Sequence, residues 1–274
     1  MPATEIARLL LDRAPVLALT GAGCSTRSGI PDYRDADGGW KHARPVLYQD
    51  FLRDAGIRSR YWARSTLGWP RFAAAAPNPA HAALARLEDA GIVQAIVTQN
   101  VDGLHQLAGS RAVVDLHGRL DRVRCLDCGQ RLARAAWQQR LASLNPGWND
   151  AAARLAPDGD AVPTREDLAG FRVPGCDRCG GIVKPDVVFY GEAIPEEVRA
   201  AAAEAVARAG AVLVVGSSLM VWSGYRLVRD AAATGKPVVA INLGRTRGDD
   251  LLACHWRTDC AGALPELAGM LGAR

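Results

Sequence analysis

The sequence predicts an α/β protein in which helices cover both faces of a parallel sheet and a smaller second lobe is inserted. Three observations carry this reading. Short runs rich in β-branched residues, apolar on both faces, recur along the chain and read as strands buried on two sides. Amphipathic stretches of helical period separate them and close on Gly91, Gly210 and Gly235, the residue type that most often ends a helix. Two segments, 40–76 and 125–183, interrupt the alternation.

Taken in order, a helix-like start (MPATEIARLLLDR) leads into the first strand, PVLAL at 15–19. The start has no basic leader and no small-residue cleavage site, so a secretory signal is not expected. The strand runs directly into TGAGCSTRSGIPDYR, residues 20–34. Gly21 and Gly23 suit a tight turn and a close backbone approach to phosphate at a helix N-terminus. The third glycine of the usual dinucleotide fingerprint is missing, and Gly-x-Gly alone is equally a plain strand-to-helix turn. Asp32, Tyr33 and Arg34 follow, where a loop can fold over a ligand. Segment 40–76 is rich in Trp, Tyr and Arg and has no strand pattern. Next come a helix at 79–91 and strands at 93–98 (VQAIVT) and 112–116 (AVVDL). After the second interruption follow strand 187–189 (VVF), helix 194–210, strand 211–215 (AVLVV), helix 224–235 and strand 237–242 (PVVAIN).

Seven cysteines cannot all pair, and four of them fall in two Cys-x-x-Cys pairs, Cys125/Cys128 and Cys176/Cys179, each followed by glycine. With no export signal this spacing reads as metal binding. Four thiolates make a closed tetrahedral set, the structural kind of zinc site. His117, eight residues ahead of Cys125, is then not needed as a ligand. It directly follows VVDL, at a strand end, where a neutral imidazole can accept a proton from a ligand hydroxyl; a histidine satisfied in the core is the bland alternative. His105 lies on a helical stretch and reads as packing or capping.

Other strand ends carry similar polar groups: Gln99, Asn100 and Asp102 in TQNVDGLH, Gly216, Ser217 and Ser218 in VVGSSLMV, and Asn242 in AINLG. Each alone reads as a helix cap. Five strand ends bearing such groups read as one pocket at the carboxyl edge of a parallel sheet.

Bulk properties bound the partners. The formal charge of +4 is too small to make nucleic acid the expected partner. Lysine occurs only at Lys41, Lys184 and Lys236, so the basicity is arginine spread along the chain. No run reaches the length of a membrane span. A cytoplasmic monomer, with no nucleic acid and no membrane partner, is expected.

Together these motifs resemble the sirtuin family of NAD-dependent protein deacylases. The matching stretches are GAGCSTRSGIPDYR, TQNVDGLH, DLHG, both cysteine pairs, KPDVVFYGE, VVGSSLMV and INLG, in family order over residues 16–262. The resemblance implies a doubly wound, Rossmann-like NAD-binding domain (1–39, 77–124 and 184–274). It also implies a small domain made of a helical module (40–76) and a zinc-binding module (125–183). It implies NAD as co-substrate, one structural zinc and acyl-lysine proteins or peptides as substrates.

By the same resemblance, Gly21, Ala22, Gly23, Thr26, Asp32, Tyr33 and Arg34 contact NAD near its phosphates and nicotinamide ribose. Gln99, Asn100, Val101 and Asp102 position the ribose and carboxamide, with Asn100 also catalytic. Gly216, Ser217, Ser218, Asn242, Leu243, Gly244 and Cys260 hold the adenosine half. VVFYGE (187–192), with Val188, Phe189, Gly191 and Glu192, and LMVWSG (219–224) grip the substrate backbone as an added strand. His117 is the general base on the ribose hydroxyls, and the products are free lysine, nicotinamide and 2′-O-acyl-ADP-ribose. Protein ADP-ribosylation and a non-catalytic NAD or ADP-ribose sensor remain as alternatives.

Cys24 replaces the usual aliphatic residue and reads as packing. The long gap between the cysteine pairs, with YWARSTLGWPRF and VWSGYR, resembles the class II branch that includes mitochondrial sirtuins. Tyr61 and Arg64 have the spacing found in members that remove acidic acyl groups, where a guanidinium pairs with a terminal carboxylate; a solvated arginine is the equal alternative.

Overall fold

The computed structural model describes residues 2–41, 45–149, 153–163 and 170–273. Its strands are β1 (Val16–Thr20), β2 (Val93–Thr98), β3 (Val113–Asp115), β4 (Gly118–Cys125), β5 (Arg131–Ala133), β6 (Arg154–Leu155), β7 (Ala161–Val162), β8 (Val183–Val187), β9 (Val212–Val215), β10 (Val238–Ile241) and β11 (Leu252–Trp256). Its helices are α1 (Pro2–Asp12), α2 (Tyr48–Arg53), α3 (Ala55–Ala73), α4 (Pro79–Asp89), α5 (Leu104–Leu107), α6 (Arg134–Leu144), α7 (Glu196–Arg208), α8 (Trp222–Ala233) and α9 (Cys260–Met270).

Among the described residues six strands form one parallel sheet in the order β11-β10-β9-β1-β2-β3. Alternate residues of each strand enter different cores, as a period of two requires. Val16, Ala18, Leu213, Val215, Val239 and Ile241 pack with Ile6 and Leu10 of α1, Leu84 and Leu87 of α4, and Leu264 and Leu267 of α9. Leu17, Leu19, Val212, Val214, Val238 and Ala240 pack with Ala202 and Val206 of α7 and Leu227 and Ala231 of α8. Each fully buried Val or Leu contributes about 1.5–3 kcal/mol, so two helical layers gripping one sheet define a doubly wound α/β fold. Strand order reverses between β1 and β9, and such a switch point opens a crevice at the strands' carboxyl ends.

A second sheet, β5-β4-β8, is antiparallel. Its core joins Phe51, Trp62, Val123, Trp137, Leu141 and Val183, with the Trp62 and Trp137 rings 5.5 Å apart. A hairpin of β6 and β7 lies on α3 so closely that a Cβ on Gly68 would come within 2.3 Å of the Gly159 carbonyl oxygen. Only glycine allows that approach, and it brings Pro157 and Asp158 to the crevice.

One strand expectation is corrected. VVF is not a strand of the parallel sheet: β8 ends at Val187 and pairs antiparallel with β4. The edge strand β11 has a half-buried pattern broken by polar residues and gives no continuous apolar run. The boundaries drawn at 124/125 and 183/184 fall within β4 and β8 respectively. Among the described residues no helix is long and apolar enough to cross a membrane.

Candidate active site

The crevice is a cavity of about 680 Å³, within the usual range for small-molecule sites. Its floor is made by two loops in contact. The Gly23 amide donates to the Gly216 carbonyl at 2.8 Å. A Cβ on Gly21 would come within 2.7 Å of Ser217 Cβ, and one on Gly23 within 2.9 Å of the Gly216 oxygen. Gly216 has φ +58°, and a Cβ there would lie 2.3 Å from the Cys24 nitrogen. These glycines therefore let the β1 and β9 loops close on one another, a nearer reason for them than approach to phosphate.

Side chains from the loop after β2 stitch the floor together. Gln99 Nε2 donates to Ser217 Oγ at 2.8 Å. Asn100 Nδ2 donates to the Gly21 carbonyl at 3.0 Å and to Ser25 Oγ at 3.2 Å. Ser25 Oγ donates to Asp102 Oδ2 at 2.7 Å, and the other Asp102 oxygen accepts the Leu104 amide at 2.9 Å, starting α5. Thr26 Oγ1 donates to the Gly23 carbonyl at 3.1 Å. Asp32 pairs with Lys41 at 2.6 Å. The Arg34 guanidinium sits 3.5 Å over the Trp40 ring and donates to the Gly38 carbonyl at 3.0 Å. Ala22, Tyr33, Val101, Ser218, Asn242, Leu243, Gly244 and Cys260 complete this part of the wall.

His117 also lines the cavity. Its Nδ1 is 2.9 Å from the Gln99 carbonyl oxygen, and its Nε2 is 2.8 Å from Ser223 Oγ. A carbonyl only accepts, so Nδ1 carries the ring proton and Nε2 presents a lone pair, to which the Ser223 hydroxyl donates. Burial pushes the His117 pKa down from 6.5, and the Gln99 carbonyl partly restores it. A neutral ring with a bare Nε2 is a proton acceptor at neutral pH.

The cavity gathers every expected ligand-contacting residue except one. Tyr61, Val188, Phe189, Gly191 and Glu192 line it, but Arg64 does not. Arg64 Nη2 lies 3.2 Å from Asp160 Oδ2, whose side chain is 3% exposed, so its charge is committed to a buried carboxylate. The expected acyl-selecting arginine therefore stands outside the cavity, its guanidinium paired with Asp160 while its side chain stays 29% exposed. Glu192 turns its carboxylate inward, to Lys184 at 3.0 Å, Arg124 at 2.7 Å and the Phe189 amide at 2.9 Å. That shapes the 188–192 loop from within.

Three wall residues have contacts that the sequence does not signal. Ser25 bridges Asn100 and Asp102, Ser223 meets His117, and Asp158 arrives from the hairpin. Their partners are 75, 77 and 106 positions away for the two serines, beyond any local pattern.

The four cysteines converge at the edge of the antiparallel sheet. Cys125 and Cys179 sulfurs are 3.5 Å apart, and those of Cys128 and Cys176 are 3.7 Å apart. Tetrahedral zinc with sulfurs at about 2.3 Å requires roughly these separations, so the set fits a structural zinc. Turns close each knuckle, from the Gly129 amide to the Cys125 carbonyl and from the Gly180 amide to that of Cys176. His117 bonds to Gln99 and Ser223 and has no place in this group.

A doubly wound α/β protein with a crevice at its switch point and a lobe stapled by four cysteines is the class defined by this geometry. The Sir2 family model matches residues 21–223. The chain is 55% identical over 252 residues to an NAD-dependent protein deacetylase of Xanthomonas campestris pv. campestris, covering 92% of this chain and 86% of that protein. It is 56% identical over 252 residues to an NAD-dependent protein deacetylase of Bordetella bronchiseptica, with 92% of each covered. A solved Sir2 structure with a p53 peptide and NAD+ superposes with TM-score 0.81 at 29% identity over the full length of both chains. The chain belongs to the Sir2 family, the sirtuins.

Proposed function

We propose that this chain is an NAD-dependent protein deacetylase that transfers the acyl group of acyl-lysine to ADP-ribose and releases nicotinamide. The observation that carries the reading is the bare Nε2 of His117 on the wall of the same cavity as the β1 and β9 loops. Relatives more than half identical over most of their length are named NAD-dependent protein deacetylases.

The residues present fit NAD. A crevice floored by closely packed glycine loops is lined by Gln99, Asn100 and Asp102 from the loop after β2 and by Asn242, Gly244 and Cys260. Gly21, Ala22, Gly23, Thr26, Tyr33 and Arg34 would hold the phosphates and the nearer ribose. Ser217, Ser218, Asn242 and Leu243 would hold the adenosine. Gln99, Asn100 and Asp102 would orient the nicotinamide end. Bound NAD supplies the bond between nicotinamide and ribose whose cleavage makes ADP-ribose available as acyl acceptor.

The chain's own part is positional and protonic. Asn100 is held by Gly21 and Ser25, so its amide is fixed before any ligand arrives. His117 accepts a hydroxyl proton at Nε2, displacing Ser223, and Gln99 keeps the ring oriented. Val188 is tied to His117 through its amide, which donates to the His117 carbonyl at 2.8 Å. A peptide adding a strand along 188–191 would therefore lie in fixed register with the base. The structural zinc holds the neighbouring lobe and takes no part in proton transfer.

The test is nicotinamide release from NAD with and without an acetyl-lysine peptide. Release that requires the peptide, with 2′-O-acetyl-ADP-ribose as co-product, supports deacetylation. Peptide-independent release with labelling of protein by ADP-ribose would replace it with ADP-ribosyl transfer, and NAD binding without release would leave a sensor.

A further inference from the structure

The stretch LMVWSG (219–224), which the sirtuin resemblance assigns to the substrate backbone, also carries side chains that backbone pairing does not use. Trp222 opens α8 and lines the cavity beside Val221 and Ser223. Its indole is 49% exposed, and open tryptophan is enriched where partners dock. Helical period puts Trp222, Tyr225, Arg226 and Arg229 on one face of α8, while Leu227, Val228 and Ala231 enter the core. The Trp222 and Tyr225 rings lie 5.7 Å apart. The Arg229 guanidinium is 5.0 Å from the centre of the Trp222 ring. From the loop after β10, Arg247 reaches both rings, 5.2 Å from Trp222 and 4.5 Å from Tyr225.

Arg247 is held in place before any ligand arrives. Its amide donates to the Ser218 carbonyl at 2.8 Å, and its Nη1 donates to the Met220 carbonyl at 3.4 Å. The turn that carries it is tied by Asp249, whose Oδ1 accepts from the Thr246 amide and hydroxyl. The other Asp249 oxygen meets Arg257 at 3.1 Å, so that carboxylate is committed away from Arg247.

The charges here do not balance. Arg229 and Arg226 share one partner, Asp230, at 2.8 and 4.0 Å. Among the described residues no carboxylate pairs with Arg247, and α8 has no acidic residue in its first turn. A guanidinium lying over a ring keeps N–H groups at its edge for a carboxylate. One already fixed by two rings loses little freedom on pairing, which favours an anionic partner.

We propose that Trp222, Arg229 and Arg247 form a subsite for an acidic side chain flanking the acyl-lysine, so that acylated sites beside Asp or Glu are preferred. The inference rests on the deacetylase function proposed above, because that reading brings a peptide along 219–224. The Met220 carbonyl that holds Arg247 belongs to the same stretch, so the cation is anchored to the backbone the peptide follows. The indole covers the methylene groups of the acidic side chain, and the guanidinium edges meet its carboxylate. A lysine or arginine at that place in the peptide meets like charge and is disfavoured.

The experiment uses one acetyl-lysine peptide with Glu, Gln or Lys placed in turn at each nearby position before and after the acetyl-lysine. At one or two positions Glu should lower KM about fivefold relative to Lys, the upper range for an exposed charge pair. Gln should fall between, kcat should change little, and raised salt should shrink the preference. Arg247→Met should abolish the preference, and Arg247→Glu should reverse it, an outcome that mere loss of structure does not produce. Arg229→Glu, on the exposed side of α8, should weaken it in part. No position that favours Glu, or a preference that survives Arg247→Glu, overturns the proposal. Binding of fluorescent acetyl peptides, read by anisotropy, separates the subsite from the reaction. A Glu-over-Lys preference in Kd without turnover keeps the subsite and sinks the deacetylase reading, whereas no binding of any acetyl peptide sinks both.

Discussion

The Nδ1 of His117 lies 2.9 Å from the carbonyl oxygen of Gln99, and this contact decides which nitrogen is free to take a proton. With Nδ1 holding the ring proton, Nε2 must be the base, and it works only while the ring is neutral. Burial holds the His117 pKa below its ordinary 6.5. Turnover should therefore rise with pH through that depressed value and be level by about pH 7. His117→Ala should cost about 10²–10⁴ in kcat, with NAD binding and zinc content retained. Ser223→Ala should keep most activity, because Ser223 leaves Nε2 when a substrate hydroxyl arrives. An acid limb above 6.5 in kcat/KM would contradict the tautomer argument, and zinc loss in His117→Ala would contradict the division between base and metal.

The ion pair of Arg64 and Asp160 bears on acyl choice. Burial and the nearby Asp158 push the Asp160 carboxyl well above its ordinary range, and Arg64 pulls it back. Arg64→Ala removes that partner from a side chain that is 3% exposed. It should destabilise the protein by about 1–3 kcal/mol, the cost of a buried polar group left unsatisfied. Because Arg64 is outside the cavity wall, the ratio of succinyl-lysine to acetyl-lysine kcat/KM should stay as in the wild type. A selective loss of succinyl activity would return Arg64 to acyl recognition.

The zinc prediction follows from how the antiparallel lobe is built. Cys125 ends β4, and the two knuckles meet where the Leu126 amide donates to the Ile182 carbonyl at 2.8 Å. The same β4–β8 pair carries Val123 and Val183 into the core with Trp62 and Trp137, both fully buried. Stripping the metal, or making Cys176→Ser, should loosen that core, shift tryptophan emission to the red and lower turnover together. Native emission and full turnover in protein shown by elemental analysis to be metal-free would remove the structural role.

Much of this was legible in the sequence for physical reasons. Runs such as AVLVV are apolar on both faces because both faces are covered, and doubled Cys-x-x-Cys spacing has few other uses. His117 was legible as a strand-end polar group, since its strand β3 is marked by VVD. What escaped depends on long-range contact. β4 reads GRLDRVRC, with only Leu120, Val123 and Cys125 buried, and it looks like surface until β8 pairs with it. Arg64 has the spacing of an anion-binding arginine, but Asp160, 96 positions away, takes its charge. The glycines of TGAG read as a phosphate turn, while their closest neighbour is the Gly216–Ser217 loop.

His105 makes a prediction about acid stability. It is 1% exposed, and burial together with the neighbouring His81 pushes its pKa down to about 3. The unfolded chain takes up a proton near 6.5, whereas the native protein does not until about pH 3. The native state's advantage is therefore complete above 6.5 and shrinks as pH falls, by up to about 1.4 kcal/mol per unit. Between pH 6.5 and 4.5 this one group should remove roughly 2 kcal/mol of stability. His105→Gln keeps an N–H for Thr20 Oγ1 and cannot titrate, so its stability should fall less steeply over that interval, even if it is lower at pH 7. Urea unfolding of both proteins at pH 7 and 4.5 measures the difference, and parallel losses in the two would show that His105 does not set the acid limit.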